Sequence, residues 1–326
     1  MENQAVLFSI ARLFDEAGSI LLTAADNLDG DALGCLLALE AYGRAKGKEI
    51  DAVNSRPVCP LYDFLGVSDR IKTTIPDKKY DLVIICDTGD ISMIGRLYVE
   101  NRELFDNTPI LNIDHHGSCY GDICWMDPSY SAACDMVAEF LEYHGGISAI
   151  TPEVANFLFL GILYDTGCYR NTNTLPSTFE RSAKLLARGA DYMSLIRNLY
   201  QSTPVSYAKI YGAALSSIFE VGGGKGIGTV VTLEDFEKNG VSPYALGHEF
   251  VNDYVRSIKA DFVFLIKEDP EGGVRISFRS KKDDVDVRII AAEFGGGGHK
   301  MAAGGASSSP LSEVVAKIDE FARKLP

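Results

Sequence analysis

Short apolar runs alternate with longer apolar or amphipathic stretches through the first 190 residues of the chain. The runs at residues 19–23, 49–53, 81–86 and 109–113 carry Ile, Val or Leu and have Asp, Gly, Asn or Pro within a few residues of their ends. They are too short for helices and predict buried strands. Residues 32–46, 132–143, 152–164 and 177–189 predict helices between and after them. Gly47 ends the first helix, Thr151 with Pro152 opens the third, and Ser177 with Glu180 has capping-box spacing at the start of the fourth. The alternation predicts an α/β fold whose N-terminal part is a doubly wound parallel sheet.

Around residues 191–212 the alternation stops. Beyond it come predicted strands at 227–233, 262–267 and 274–278, the last after the turn at 269–273. Helices are predicted to start at Thr203-Pro204, Ser242-Pro243 and Ser309-Pro310. The expected organisation is a domain over 1–190, a connector over 191–212, and a smaller mixed-sheet α/β domain over 213–326. A ligand cleft is expected between the two domains.

Acidic side chains stand where these elements end. Run 109–113 delivers Asp114-His115-His116, run 19–23 is followed by Asp29-Gly30-Asp31, run 81–86 by Asp87, and the helix from Pro152 runs to Asp165. The carboxyl ends of parallel strands are where open α/β sheets collect ligands. Singly, each segment has a plain reading: a solvated loop for 114–116, a turn with a helix cap for 29–31. Together they suit one site, and hard oxygen donors mixed with imidazole suit Mn²⁺ or Mg²⁺ better than a thiolate-loving metal.

Composition narrows the partners. A chain of 326 residues with 46% hydrophobic and 23% charged residues can fill two separate cores. Its net charge of −14 speaks against coating long duplex nucleic acid, whose backbone needs a basic surface. A small anionic substrate in a local basic pocket remains compatible. The longest apolar stretch, 154–164, contains Asn156 and Gly161 and reads as a core helix, so no membrane association is expected. No signal-peptide pattern follows Met1-Glu2-Asn3-Gln4, and a cytoplasmic location is expected. The seven cysteines are odd in number and include no Cys-x-x-Cys, which predicts reduced thiols, with Cys86 a small core residue.

The motif-bearing segments carry a resemblance. Asp29-Gly30-Asp31-Ala32-Leu33-Gly34, Asp87 with Arg96 beyond it, Asp114-His115-His116, Asp127-Pro128 followed by 131–137, and Gly161-Ile162-Leu163-Tyr164-Asp165-Thr166-Gly167 match motifs of the DHH phosphoesterase superfamily in order. Arg279-Ser280, Phe294-Gly295-Gly296-Gly297-Gly298-His299 and Ala302-Ala303-Gly304 match its C-terminal DHHA1 domain. The chain resembles the stand-alone members of that superfamily, of the bacterial nanoRNase and pAp phosphatase type.

The resemblance implies two divalent cations, usually Mn²⁺ with Mg²⁺ as the alternative. Asp87 would bridge them, Asp29 would serve one, and Asp31, His115 and Asp165 the other. His116 would touch the scissile phosphate or protonate the leaving oxygen, and Asp114 would orient a histidine. Arg279, Ser280, Gly296, Gly297, Gly298 and His299 would clamp the substrate. Independently of the family, residues without Cβ let backbone N–H groups converge on an anion, with Lys281, Lys282 and Arg288 close by in sequence. A flexible glycine hinge is the plainer reading.

The implied activity is hydrolysis of short oligoribonucleotides to mononucleotides, together with dephosphorylation of pAp. Cyclic di-AMP or pApA phosphodiesterase, polyphosphatase, and a nucleotide-binding protein with weakened catalysis are the alternatives. A homodimer is expected from the resemblance, without an interface signature in the chain. One position departs from the pattern: relatives usually carry a metal-binding histidine four residues before the first aspartate, where this chain has Ala25. Asp26, Asn27 or water would have to substitute. His144 is expected at a helix C-terminus and Trp125 at the sheet edge; Arg170 and Asn173-Thr174, which follow Asp165 closely, could face the cleft, and Arg96 either contacts phosphate or forms a surface ion pair.

Overall fold

The computed structural model describes residues 2–116, 119–243 and 254–325, without the side chains of Glu2 and His299. It divides into two compact units, Met1–Ser202 and Thr203–Pro326.

The first unit is built on six strands: β1 (Ser19–Ala24), β2 (Glu49–Val53), β3 (Ile71–Lys72), β4 (Leu82–Cys86), β5 (Ile110–Asp114) and β6 (Ile123–Met126). All pair in parallel, in the order β3-β2-β1-β4-β5-β6. Its helices are α1 (Glu2–Glu16), α2 (Gly30–Ala45), α3 (Arg96–Glu100), α4 (Arg102–Asn107), α5 (Ala133–Gly145), α6 (Pro152–Asp165), α7 (Pro176–Ala187) and α8 (Tyr192–Tyr200). The four strands expected from the apolar runs are β1, β2, β4 and β5. Helix α1 and the outer strands β3 and β6 go beyond the sequence pattern, and Trp125 is buried on the edge strand β6.

Successive strand residues point to opposite faces. Ile20, Leu22, Ala24, Ile84 and Cys86 pack with α2, α5 and α6, while Leu21, Val83 and Ile85 pack with Leu97 and Phe105 on the other side. Helices therefore cover both faces, as a parallel sheet requires. Both α2 and α6 are buried almost all round. Among the described residues no helix is long and apolar enough to cross a membrane.

The three inner helices meet without room for side chains at their crossing. A Cβ on Gly161 would lie 2.3 Å from Cys134 Sγ and 2.4 Å from Asp31 Oδ1, and one on Gly34 would lie 2.4 Å from the Phe157 carbonyl oxygen.

The second unit holds a six-stranded mixed sheet of β7 (Phe219–Val221), β8 (Gly226–Val231), β9 (Phe262–Glu268), β10 (Val274–Ser280), β11 (Gly297–His299) and β12 (Ala302–Ser307), ordered β11-β12-β10-β9-β8-β7. Only β8 and β9 pair in parallel. Helices α9 (Val205–Ser216), α10 (Leu233–Asn239), α11 (Val287–Ala292) and α12 (Leu311–Lys324) accompany it.

Several local expectations change. Helix α7 begins at Pro176, with Leu175 as the cap residue donating its N–H to Thr178 Oγ1 at 3.0 Å, so Ser177 is not the cap. The proline takes the first helical position and moves the start one residue upstream. Pro204 and Pro310 are themselves the cap residues of α9 and α12. The segment after Ser242-Pro243, including His248, lies outside the described residues. Cys119, in the connection between β5 and β6, and Cys124 of β6 form a disulfide, while Cys35, Cys59, Cys86, Cys134 and Cys168 are free. An odd count without Cys-x-x-Cys spacing carries no information on such a local turn pair.

Gly161→Ala is expected to destabilise the first unit. Its methyl would press on Cys134 and Asp31, and overpacking of this kind costs about 1–3 kcal/mol. A urea-unfolding midpoint equal to or above that of the native chain would contradict the tight-crossing account.

Candidate active site and metal centre

The strand order reverses between β1 and β4, which opens a crevice at their carboxyl ends. Asp29 and Asp31 follow β1, Asp87 follows β4, Asp114 ends β5 with His115 and His116 directly after it, and Asp165 ends α6.

Asp31 lies deepest. Its Oδ2 accepts from the Ala133 N–H at 2.6 Å and its Oδ1 from the Cys134 N–H at 2.8 Å. These are the first amides of α5, whose positive end favours an anion. Asp29 Oδ1 accepts from the N–H groups of Asp31 and Ala32, both at 3.0 Å, and caps α2. The plain reading of this segment as a helix cap therefore holds alongside the functional one. Asp87 adopts φ 48°, a left-handed conformation for a residue with a Cβ. Such strain costs on the order of 1–3 kcal/mol and is found where geometry is dictated by a site.

The histidines close the cluster. His115 Nε2 lies 3.0 Å from Asp165 Oδ2 and 3.5 Å from Asp87 Oδ1. His116 Nδ1 donates to Asp114 Oδ1 at 2.7 Å and lies 3.4 Å from Asp87 Oδ1. The His116 backbone N–H also donates to Asp114 Oδ1, at 3.0 Å. Asp114, fully buried, thus fixes the ring of His116 rather than that of His115.

So many carboxylates in one buried place perturb each other. Burial, then the charges of Asp87, Asp165 and Asp31, hold Asp29 well above the usual carboxylate range. Burial and the charge of Asp87 push Asp31 up to about 6. Burial also raises Asp87 and Asp165, against the lowering effect of His115. Burial disfavours a charged His115, but its contacts with Asp165 and Asp87 outweigh this and push it up to about 12. The cluster attracts positive charge and, without a cation, takes it as a proton.

The donors fit a divalent cation. Ligand atoms of Asp31, His115 and Asp165 lie within 4.8 Å of one another, and so do those of Asp87, His115 and His116. Asp87 Oδ1 and His115 Nε2 are buried and make no aligned hydrogen bond among the described residues. Buried polar atoms left in this way call for an explanation, and a cation supplies one. Asp29 does not complete such a group among the described residues. Ala25 offers only its carbonyl, which accepts from Asn54 Nδ2 at 2.8 Å. Asp26 pairs with Arg56 at 2.6 Å and joins no donor group among the described residues, and Asn27 is exposed. A third grouping, Asp31 with Cys35 and Cys134, involves thiols that burial keeps protonated.

Some supporting groups are invisible to motif reading. Ser131, Ala133 and Cys134 fall in a matched segment, yet only the fold shows that its amides hold Asp31. Asn171 and Asn173 both reach the carbonyl of Asp165, at 2.9 and 3.3 Å. Arg96 is exposed and donates to the carbonyls of Ser55 and Thr73, whereas Arg170 donates to that of Gly167. His144 sits in the last turn of α5 between Tyr42 and Asp15.

In the second unit, the glycines first serve packing. A Cβ on Gly296 would lie 1.8 Å from the Gly304 carbonyl oxygen, and Gly298 has φ 140°. Gly297, Gly298 and His299 form β11 at the sheet edge, where part of the backbone N–H row is unpaired by the sheet. The side chain of His299 lies outside the described residues. Arg279 Nη1 donates to the Phe278 carbonyl at 2.9 Å, and buried Ser280 donates to that of Lys282 at 2.8 Å. Lys282 pairs with Asp261 and Arg288 with Asp286. Burial and the neighbouring charge of Arg256 lower the Lys281 ammonium.

Residues 19–162 match the family model for the DHH family, N-terminal domain, and residues 213–324 that for the DHHA1 domain. The chain is 31% identical over 291 residues to the bifunctional oligoribonuclease and PAP phosphatase NrnA of Thermus thermophilus, covering 88% of this chain and 83% of that protein. It is 28% identical over 250 residues to the Bacillus subtilis protein of the same name, covering 74% and 76%. A solved exopolyphosphatase-related protein from Bacteroides fragilis shares the fold, with a TM-score of 0.89 at 23% identity over 98% of this chain and 96% of that one. With its aspartate and histidine cluster at the reversal of a parallel sheet and a DHHA1 domain over residues 213–324, the chain belongs to the DHH family of phosphoesterases.

Proposed function

We propose that the chain hydrolyses short oligoribonucleotides to mononucleotides and removes a phosphate from pAp, using two divalent cations, most simply Mn²⁺. The observation that carries this reading is the pair of donor groups that share His115 at the ends of β1, β4, β5 and α6. The names of the two relatives point to the same substrates. Bound there, a pair of cations would activate a water and stabilise the entering and leaving oxygens of a displacement at phosphorus.

The roles proposed for the chain's own residues follow their geometry. Asp31, His115 and Asp165 hold one cation, Asp87 faces both, and Asp29 serves the other with fewer protein ligands because of Ala25. Asp114 fixes His116 through Nδ1, so proton transfer to a leaving oxygen would run through Nε2. In the second unit, Arg279, Ser280, Gly296, Gly297, Gly298 and His299 are proposed to hold the remaining phosphate and base of the substrate. The Arg256 and Lys281 pair supplies local positive charge on a chain of net charge −14. That distribution favours short nucleotides over long strands.

Three outcomes are expected. Purified chain with Mn²⁺ should release mononucleotides from pApA and phosphate from pAp, while Asp87→Ala should lose more than the roughly 10–100-fold that removal of an outer-shell partner costs. Mn²⁺-dependent turnover confined to cyclic di-AMP would replace the proposed substrate, and full activity in Asp87→Ala would sink the two-metal reading.

Cation uptake should release protons, because ligands must be deprotonated to coordinate. With His115 raised to about 12, the metal-free site is protonated at pH 7, so affinity should fall about tenfold per pH unit for each proton displaced. The fall should steepen below pH 6 as Asp31 also takes a proton. Calorimetric titration across buffers of different ionisation enthalpy measures this directly; a pH-independent affinity would rule it out. Ala25→His should tighten the weaker of the two cation sites, and an unchanged Mn²⁺ titration would show that position 25 faces no cation.

A further inference from the structure

We propose that Asn173 is a positioning residue that locks the Asp31 and Asp165 ligands to each other. The inference rests on the cation-binding reading of the site given above. Asn173 lies in the loop between α6 and α7, and its Nδ2 donates to the Ser131 carbonyl at 2.8 Å and to the Asp165 carbonyl at 3.3 Å. Ser131 is buried and lies two residues before Ala133, whose N–H together with that of Cys134 holds the carboxylate of Asp31. One amide group therefore ties the approach to α5, which fixes Asp31, to the end of α6, which carries Asp165. Asn171 Nδ2 also donates to the Asp165 carbonyl, at 2.9 Å.

The loop is shaped around this contact. Cys168 and Tyr169 both adopt positive φ, at 57° and 63°, where residues with a Cβ are strained. Asn173 Oδ1 and the neighbouring Thr174 Oγ1 are buried without a hydrogen-bond partner among the described residues. An unsatisfied buried acceptor disfavours folding. A side chain chosen for stability alone would not keep one, whereas a side chain chosen for its two donors must carry the oxygen with them. The bridge sets the separation of two carboxylates that have to meet His115 around one ion.

The test is a Mn²⁺ titration read by the electron paramagnetic resonance signal of free Mn²⁺, which requires no turnover, with thermal unfolding measured alongside. Asn173→Ala and the isosteric Asn173→Asp, which loses the donor, should bind the ion of the Asp31, His115 and Asp165 group about 10–100-fold more weakly, the range for partners that orient metal ligands. Asn198→Ala removes a comparable amide bond, to the Ser194 carbonyl at 2.8 Å in α8, and should leave the affinity unchanged. Native affinity in both Asn173 variants, failure of both to fold, or equal weakening in Asn198→Ala would overturn the assignment. Absence of Mn²⁺ binding by the native chain would instead overturn the cation reading itself, a result distinguishable because it precedes any comparison of variants.

Discussion

The first unit is organised around keeping Asp31 ionisable in a fully buried place. A carboxylate taken out of solvent loses several kcal/mol of hydration unless partners replace it. Here the replacement is the N-terminus of α5, which supplies two amides, and the proximity of His115. The amides can reach Asp31 only because α2, α5 and α6 cross almost in backbone contact, and they cross so closely because Gly34 and Gly161 present no side chain there. The same carboxylate that packing forces inward is repelled by Asp87. A purely structural core would have removed this conflict, since a half-compensated set of charges is worse than an apolar filling. Its persistence is the physical signature of a site built to receive cations.

Topology explains why residues far apart in sequence meet. Parallel strands need long crossovers, so β1, β4 and β5 bring their carboxyl ends side by side although about 30 to 60 residues separate them in the chain. Asp87 and Asp114 are delivered by neighbouring strands in register, with Cys86 opposite Ile113. Asp165 arrives from a helix instead, and its position is set by the packing of α6 against α2 and by the loop that follows it.

Much of this was legible in the sequence. Continuous apolar runs ending in aspartate can hardly be anything but central parallel strands, and the motif order fixed the family. Positions whose meaning depends on distance were not legible. Cys119 and Cys124 are joined five residues apart in a disulfide that no cysteine count reveals. Leu175 rather than Ser177 caps α7 because Pro176 occupies the first helical position. Short edge strands such as β3 and β6 borrow their order from neighbours and leave little periodicity of their own. Asn173 carries no motif weight as a residue type, and its contacts with Ser131 and Asp165 exist only in the fold.

Ala25 shows how the two levels combine. From sequence alone, the missing imidazole could be compensated by Asp26, one residue on, and the departure would be silent. In the fold Asp26 pairs with Arg56 and donates its N–H to the carbonyl of Met93. Asp29, the remaining carboxylate on that side, already spends one oxygen on the cap of α2. On the two-cation proposal the halves of the site would be unequal. Asp31, His115 and Asp165 would hold one cation, while the other would rely on Asp87, on Asp29 and on a water or substrate oxygen. A weak second position of this kind would tie cation occupancy to substrate binding, since a phosphate oxygen could supply the ligand that position 25 does not.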